Sequence, residues 1–232
     1  VLIVATIVCA VACLALIDSE RRAAHHLLDG VDKTRAQRDR VVTKTIASLA
    51  FVAVALLATS DGKPLPHDYR MWITVGLAAG VLGDVFLLGK SSNAFLAGLV
   101  AFLIGHVLYV VACADLVPIQ SWANHAGAYG GIPGAIGAGV LVWLWPRLGG
   151  MRIPVLLYVV TIIAMVVGAI AVYRAGALPE CNGKLLCAGA VLFFVSDLAV
   201  ARDKFVSSGF INRAWGLPAY YAGQLLIAWS LH

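Results

Sequence analysis

Eight apolar runs of 17–21 residues dominate this chain, at about 1–17, 41–59, 70–89, 94–114, 128–146, 153–173, 184–201 and 213–231. At 1.5 Å per residue, each carries an α-helix across most or all of a hydrocarbon layer about 30 Å thick. No water meets a bare backbone group in that layer, so only helices and closed barrels span it. The runs are continuous instead of alternating every second residue, which selects helices. Of the 232 residues, 61% are hydrophobic and 12% charged, against about 25% charged in a soluble domain. The expected fold is all-α: a polytopic transmembrane bundle of eight spans, forming one domain over 1–232. The fifth run, "GAYGGIPGAIGAGVLVWLW", is Gly-rich and departs most from a plain span. The first, "VLIVATIVCAVACLALI", has no basic leader and no small-residue cleavage site, and reads as a retained span.

Charge supplies orientation. The net charge is +5, but the basic residues fall between apolar runs, so topology explains them better than nucleic acid does. Twelve Lys and Arg occupy the segments after spans one, three, five and seven: Arg21, Arg22, Lys33, Arg35, Arg38, Arg40, Lys90, Arg147, Arg152, Arg202, Lys204 and Arg213. The other side holds four, Lys63, Arg70, Arg174 and Lys184, and Lys44 lies inside span two. The richer side is expected to be cytoplasmic, with both termini non-cytoplasmic. Residues 18–40, with five acids among their charges, read as a solvated loop with an amphipathic piece. Trp122, Trp143, Trp145 and Trp229 sit near span ends, where interfacial anchors belong.

Against this background each intramembrane polar residue is costly. A central Asp costs about 2.5–3.5 kcal/mol on insertion scales, yet Asp84 stands in "VLGDVFLLGK" and Asp197 in "FFVSDLAVA". The two lie 113 positions apart in spans three and seven, which resemble each other. A parallel repeat of four plus four helices is the expected origin, and it puts both acids at one depth near the cytoplasmic boundary. Lys44 is a snorkelling cation, a counter-charge or a phosphate ligand. His106 and Tyr109 share a helix face, as do Tyr220 and Gln224; with Tyr158 they point to a polar cavity. Gly76 and Gly80 precede Asp84 at four-residue spacing, a close-packing signal. Asn93, after "KSS", reads as a helix cap.

Several chemistries find no motif. The chain lacks G-x-S-x-G, H-E-x-x-H and a Gly-rich phosphate loop. Cys9, Cys13, Cys113, Cys181 and Cys187 have no metal spacing; four read as small apolar residues, and Cys181 as a loop residue for which pairing with Cys187 or Cys113 stays open. The residues leave three functions open: an enzyme, a proton-coupled transporter of a small or amphiphilic solute, and a structural or sensor protein.

Lys44 in "TKTIAS", "GDVFLL" at 83–88, "FLIGHVLYV" at 102–110, Pro154 with Tyr158, "SDLAVA" at 196–201 and "GLPAYYAGQLLIA" at 216–228 together resemble the YhhN-like lysoplasmalogenases, eight-helix membrane proteins. The family often has Lys-Pro in span two, where Thr45 follows Lys44 here. The resemblance implies hydrolysis of the vinyl ether bond of a lysoplasmalogen, giving a fatty aldehyde and a glycerophospho-ethanolamine or -choline. It implies no cofactor and no metal, and partners limited to the lysophospholipid and the bilayer. The expected location is a bacterial inner membrane; oligomeric state stays open. Vinyl ether cleavage needs a protonated acid and a carboxylate, and Asp84 and Asp197 are the catalytic candidates. Asp197 is assigned as proton donor and Asp84 as ionised partner, with Lys44, His106, Tyr109, Tyr158, Tyr220 and Gln224 binding substrate.

Overall fold

The computed structural model describes residues 1–24, 30–58, 65–89 and 91–232; Lys63 and Lys90 of the charge count lie outside them. Eight long helices account for most of these residues: α1 (Leu2–Ala24), α2 (Gly30–Leu56), α3 (His67–Phe86), α4 (Ser92–Leu116), α6 (Ala128–Leu144), α7 (Arg152–Ala175), α8 (Glu180–Phe205) and α9 (Phe210–Trp229). A one-turn helix, α5 (Trp122–Ala126), follows α4. Each apolar run of the sequence falls on one long helix. Five of the eight, α1, α4, α6, α7 and α8, are long and apolar enough to cross a bilayer on composition. The other three, α2, α3 and α9, carry Lys44, Asp84 and Gln224, so the helices that fall short bring buried polar side chains into the bundle.

Local chemistry sets the helix ends. Pro66 and Pro179 precede α3 and α8. The hydroxyl of Ser91, not Asn93, caps α4 by accepting from the Ala94 N–H at 3.1 Å. Gly176, at φ 64°, closes α7 in the left-handed conformation that disfavours a side chain. The outer surface is apolar: Ile3, Ile7, Val11 and Leu14 of α1, Val75 and Leu82 of α3, and Val100, Ile104 and Val107 of α4 are exposed. A lipid-facing surface accounts for this.

Small residues pack the bundle. The tightest pairs are α3 with α4 and α8 with α9. Where α3 crosses α4, a Cβ on Gly105 would stand 3.1 Å from the Gly76 carbonyl oxygen; where α8 crosses α9, a Cβ on Gly223 would stand 3.0 Å from that of Gly189. Each pair has a second near-contact, Gly98 against Gly83 and Gly216 against Ser196. Gly76 to Gly189 and Gly83 to Ser196 are both 113 positions, as are the two acids; Gly98 to Gly216 and Gly105 to Gly223 are both 118. Such crossings bring backbones close and fix the depth of the side chains beyond them.

Three expectations are corrected. Residues 18–24 and 30–40 extend α1 and α2 as helix, and Glu20 is 3% exposed, because it finds arginine partners inside the bundle. Trp122 is buried, packed on Gly168 and donating to the Val117 carbonyl at 2.7 Å, so it fills a gap between helices and does not anchor at an interface. Cys181 lies in the first turn of α8, and all five cysteines are free thiols.

Candidate active site

Asp84 sits near the end of α3 and is 3% exposed. Gly80, one turn earlier, has no side chain to hold α9 away: Gln224 and Tyr220 fill the space a Cβ would need. Three groups therefore converge on the carboxylate. Lys44 Nζ of α2 lies 3.1 Å from Oδ1. The Ser48 hydroxyl, one turn further along α2, donates to Oδ2 at 2.6 Å, and the Tyr220 hydroxyl of α9 donates to the same oxygen at 2.8 Å. Lys44 is itself 6% exposed, so it does not snorkel to the boundary but stays inside as the counter-charge of Asp84.

Asp197 of α8 has a different set. The Tyr158 hydroxyl of α7 donates to Oδ2 at 2.9 Å. His106 Nε2 of α4 stands 3.9 Å from that oxygen, beyond hydrogen-bond reach. Among the described residues no Lys or Arg pairs with Asp197. Its side chain keeps 18% exposure.

Both acids line one cavity of about 750 Å³, together with Lys44, Tyr158, Tyr220, Phe102 and Phe193. That volume lies in the range of sites for small organic ligands. One stretch of wall is apolar, with Val140 and Leu144 of α6 and Val155, Val159 and Ile162 of α7. At another, Glu20, Arg40, Asp203, Lys204 and Arg213 contribute charge. An apolar wall, a charged rim and two acids suit a single-chain amphiphile.

The remaining sequence candidates stand behind the wall. Tyr109 donates to Gln224 Oε1 at 2.9 Å, and Gln224 Nε2 approaches the Tyr220 hydroxyl at 3.4 Å, so a polar chain runs from α4 through α9 to Asp84. His106 is 1% exposed, and neither ring nitrogen has a hydrogen-bond partner among the described residues. It is boxed in by aromatic rings, with centroids 4.5 Å from Phe193 and 5.1 Å from Tyr158. Ser48 was not singled out from sequence. Nor was the rim, where Arg40 and Arg213 both meet Glu20, at 2.5 and 2.7 Å. Ser48 follows Lys44 by one turn and so shares its face, a signal the sequence did contain; Glu20 and Arg213 are 193 positions apart, and nothing local links them.

An apolar-surfaced helical bundle that sets two acids on one cavity, one paired with an ammonium and one not, defines a membrane-type helical protein. The particular lineage comes from comparison. The profile of the YhhN family matches residues 39–231, and the chain belongs to that family. "Lysoplasmalogenase TMEM86A" of Bos taurus is 31% identical over 191 residues, covering 75% of this chain and 71% of its own. "Lysoplasmalogenase" of Mycobacterium tuberculosis is 32% identical over 189 residues, covering 77% of this chain and 66% of its own. The human protein named lysoplasmalogenase TMEM86A is 30% identical over 181 residues, covering 75% of this chain and 71% of its own. No solved structure matches.

Proposed function

We propose that the protein is a lysoplasmalogenase: an integral membrane hydrolase that adds water across the vinyl ether bond of a lysoplasmalogen, releasing a fatty aldehyde and a glycerophospho-ethanolamine or -choline. Family membership and the names of its relatives support the activity. The observation that carries the mechanism is the unequal pair of acids on one cavity.

In this mechanism Asp197, with no cation beside it, holds a proton, because an unpaired charge in a buried site is expensive. It delivers that proton to the β-carbon of the vinyl ether. The oxocarbenium ion that forms is stabilised by the Asp84 carboxylate, which is paired with Lys44. Asp84 takes a proton from the attacking water, and the hemiacetal collapses to aldehyde and alcohol. Two carboxyl groups in unlike surroundings thus divide acid and base work, as in glycoside hydrolysis. Tyr158, Tyr220 and Ser48 hold the two carboxyls in place, the chain through Gln224 and Tyr109 stiffens the wall behind them, and His106 packs there among aromatic rings. The alkenyl tail lies along the apolar α6/α7 wall.

The bundle crosses the bilayer with all eight long helices, as two four-helix repeats. The recurring glycine crossings and the common 113-residue offset support the duplication. Both termini face the non-cytoplasmic side. Trp229 of α9 donates to Thr6 of α1 at 3.0 Å, so the chain's first and last turns share one end of the bundle, as that topology requires.

A coupled aldehyde assay tests the function. Purified protein in detergent, with no gradient, should release aldehyde from a lysoplasmalogen and none from its saturated ether analogue. Absence of release from the vinyl ether overturns the assignment and favours a carrier, which moves solute only in sealed vesicles.

A further inference from the structure

Lys44 is buried and its charge is balanced by Asp84. A lysophospholipid in this cavity needs a cation elsewhere for its phosphate. The other cations on the cavity are Arg40, Lys204 and Arg213. Arg213 is spoken for on both arms, with Nη1 on Glu20 at 2.7 Å and Nη2 on Asp203 at 3.6 Å. The Lys204 ammonium lies 4.4 Å over the Phe95 ring, at an exposed position.

Arg40 is placed differently. It pairs with Glu20, its Nε 2.5 Å from Oε1. No side-chain hydrogen bond engages its two terminal nitrogens among the described residues. They form the flat end of a guanidinium, the fork that fits two phosphate oxygens at once. Arg40 also precedes Lys44 by four residues on the cavity face of α2. One helical turn puts it about 6 Å from Lys44 along the axis. In a lysoplasmalogen, five bonds separate the vinyl ether oxygen from the phosphorus. At about 1.5 Å per bond with normal bends, they span about 6 Å. The axial rise between the two helix positions is about the span from reacting bond to phosphate.

We propose that Arg40, paired with Glu20, is the phosphate-binding residue of this cavity, and that it sets the register of a lysophospholipid so that the sn-1 ether bond lies level with Asp84. The inference rests on the lysophospholipid reading above. It names a specificity residue that the sequence, which offered Lys44 for the phosphate, did not single out.

Binding tests it without hydrolysis, so failure of aldehyde release would sink the functional reading and leave this test standing. The probes are a saturated-ether lysophosphoethanolamine and the matching 1-alkylglycerol, which has the tail and no phosphate. Arg40→Gln should weaken the lysophospholipid roughly tenfold or more and leave the alkylglycerol within about twofold. Arg40→Lys keeps the charge without the fork and should fall between. In both variants Glu20 retains Arg213 as partner, and Arg40→Lys carries the test where Arg40→Gln does not fold. Glycerophosphoethanolamine, with phosphate and no tail, distinguishes intact lipid from released headgroup. Arg40-dependent binding of it extends the site to the product, and its failure to bind confines the site to the lipid; both keep the phosphate at Arg40. Equal weakening of lysophospholipid and alkylglycerol, or no weakening of either, overturns the proposal.

Discussion

Asp84 and Asp197 occupy equivalent places in two similar helix pairs and differ in what surrounds them. Each lies eight residues beyond a glycine crossing, Gly76 on Gly105 and Gly189 on Gly223, so packing delivers the two carboxyls in the same way. Each also meets a side chain from the preceding long helix of the cavity wall, Lys44 of α2 for Asp84 and Tyr158 of α7 for Asp197. The first is an ammonium and the second a phenol. Two similar crossings thus lead to two environments: Asp84 meets Lys44, Ser48 and Tyr220, and Asp197 accepts from Tyr158. The lesson is that position and surroundings are set separately: glycine crossings fix where each acid sits, and side chains of neighbouring helices fix what it meets.

The comparison breaks most sharply at the acids. Asp197→Asn and Asp84→Asn should each reduce aldehyde release by roughly a thousandfold, the scale of one general acid or base, with folding checked by the melting temperature of the solubilised protein. Two acids that merely hold helices together would leave activity close to that of the unaltered protein in at least one variant. Lys44→Met comes next. It strands a buried carboxylate and should cost about 3–5 kcal/mol of stability, read as a large drop in melting temperature together with lost turnover. The glycine crossings sharpen the structural half of the comparison. Gly76→Ala meets the Tyr109 ring, and Gly189→Ala meets Ile227 and the Gly223 carbonyl; each should destabilise by about 1–3 kcal/mol, and by similar amounts if the crossings are equivalent. Tyr158→Phe should have the smallest effect. It removes one hydrogen bond worth about 1 kcal/mol, a roughly fivefold change in turnover measured by the same aldehyde assay.

Much of this was legible in the sequence, for identifiable reasons. Apolar runs as long as a bilayer is thick can form little except helices, so each long helix appeared at its place. Asp84, Asp197 and Lys44 were conspicuous because charges are rare in such runs. Tyr220 and Gln224 were grouped correctly by their four-residue spacing, and their side chains do approach each other. Residues 18–24 and 30–40 are helix where a loop is expected, because polar residues there look like a loop, and 25–29 lie outside the described residues. Helices that leave a membrane are free to continue, and Glu20 is buried by contacts with Arg40 and Arg213 of α2 and α9. Trp122 shows the same limit: a tryptophan near a span end reads as an anchor, yet here it fills the space left by Gly168. Contacts within one helix follow from spacing, whereas those between helices follow from packing that no single helix reveals.

The most direct test of the division of labour is infrared absorption by protonated carboxyl groups at neutral pH, compared across the native protein and the two Asn variants. The account predicts a buried protonated-carboxyl band that persists in Asp84→Asn and disappears in Asp197→Asn. A band lost instead with Asp84, or one that survives Asp197→Asn undiminished, would contradict it.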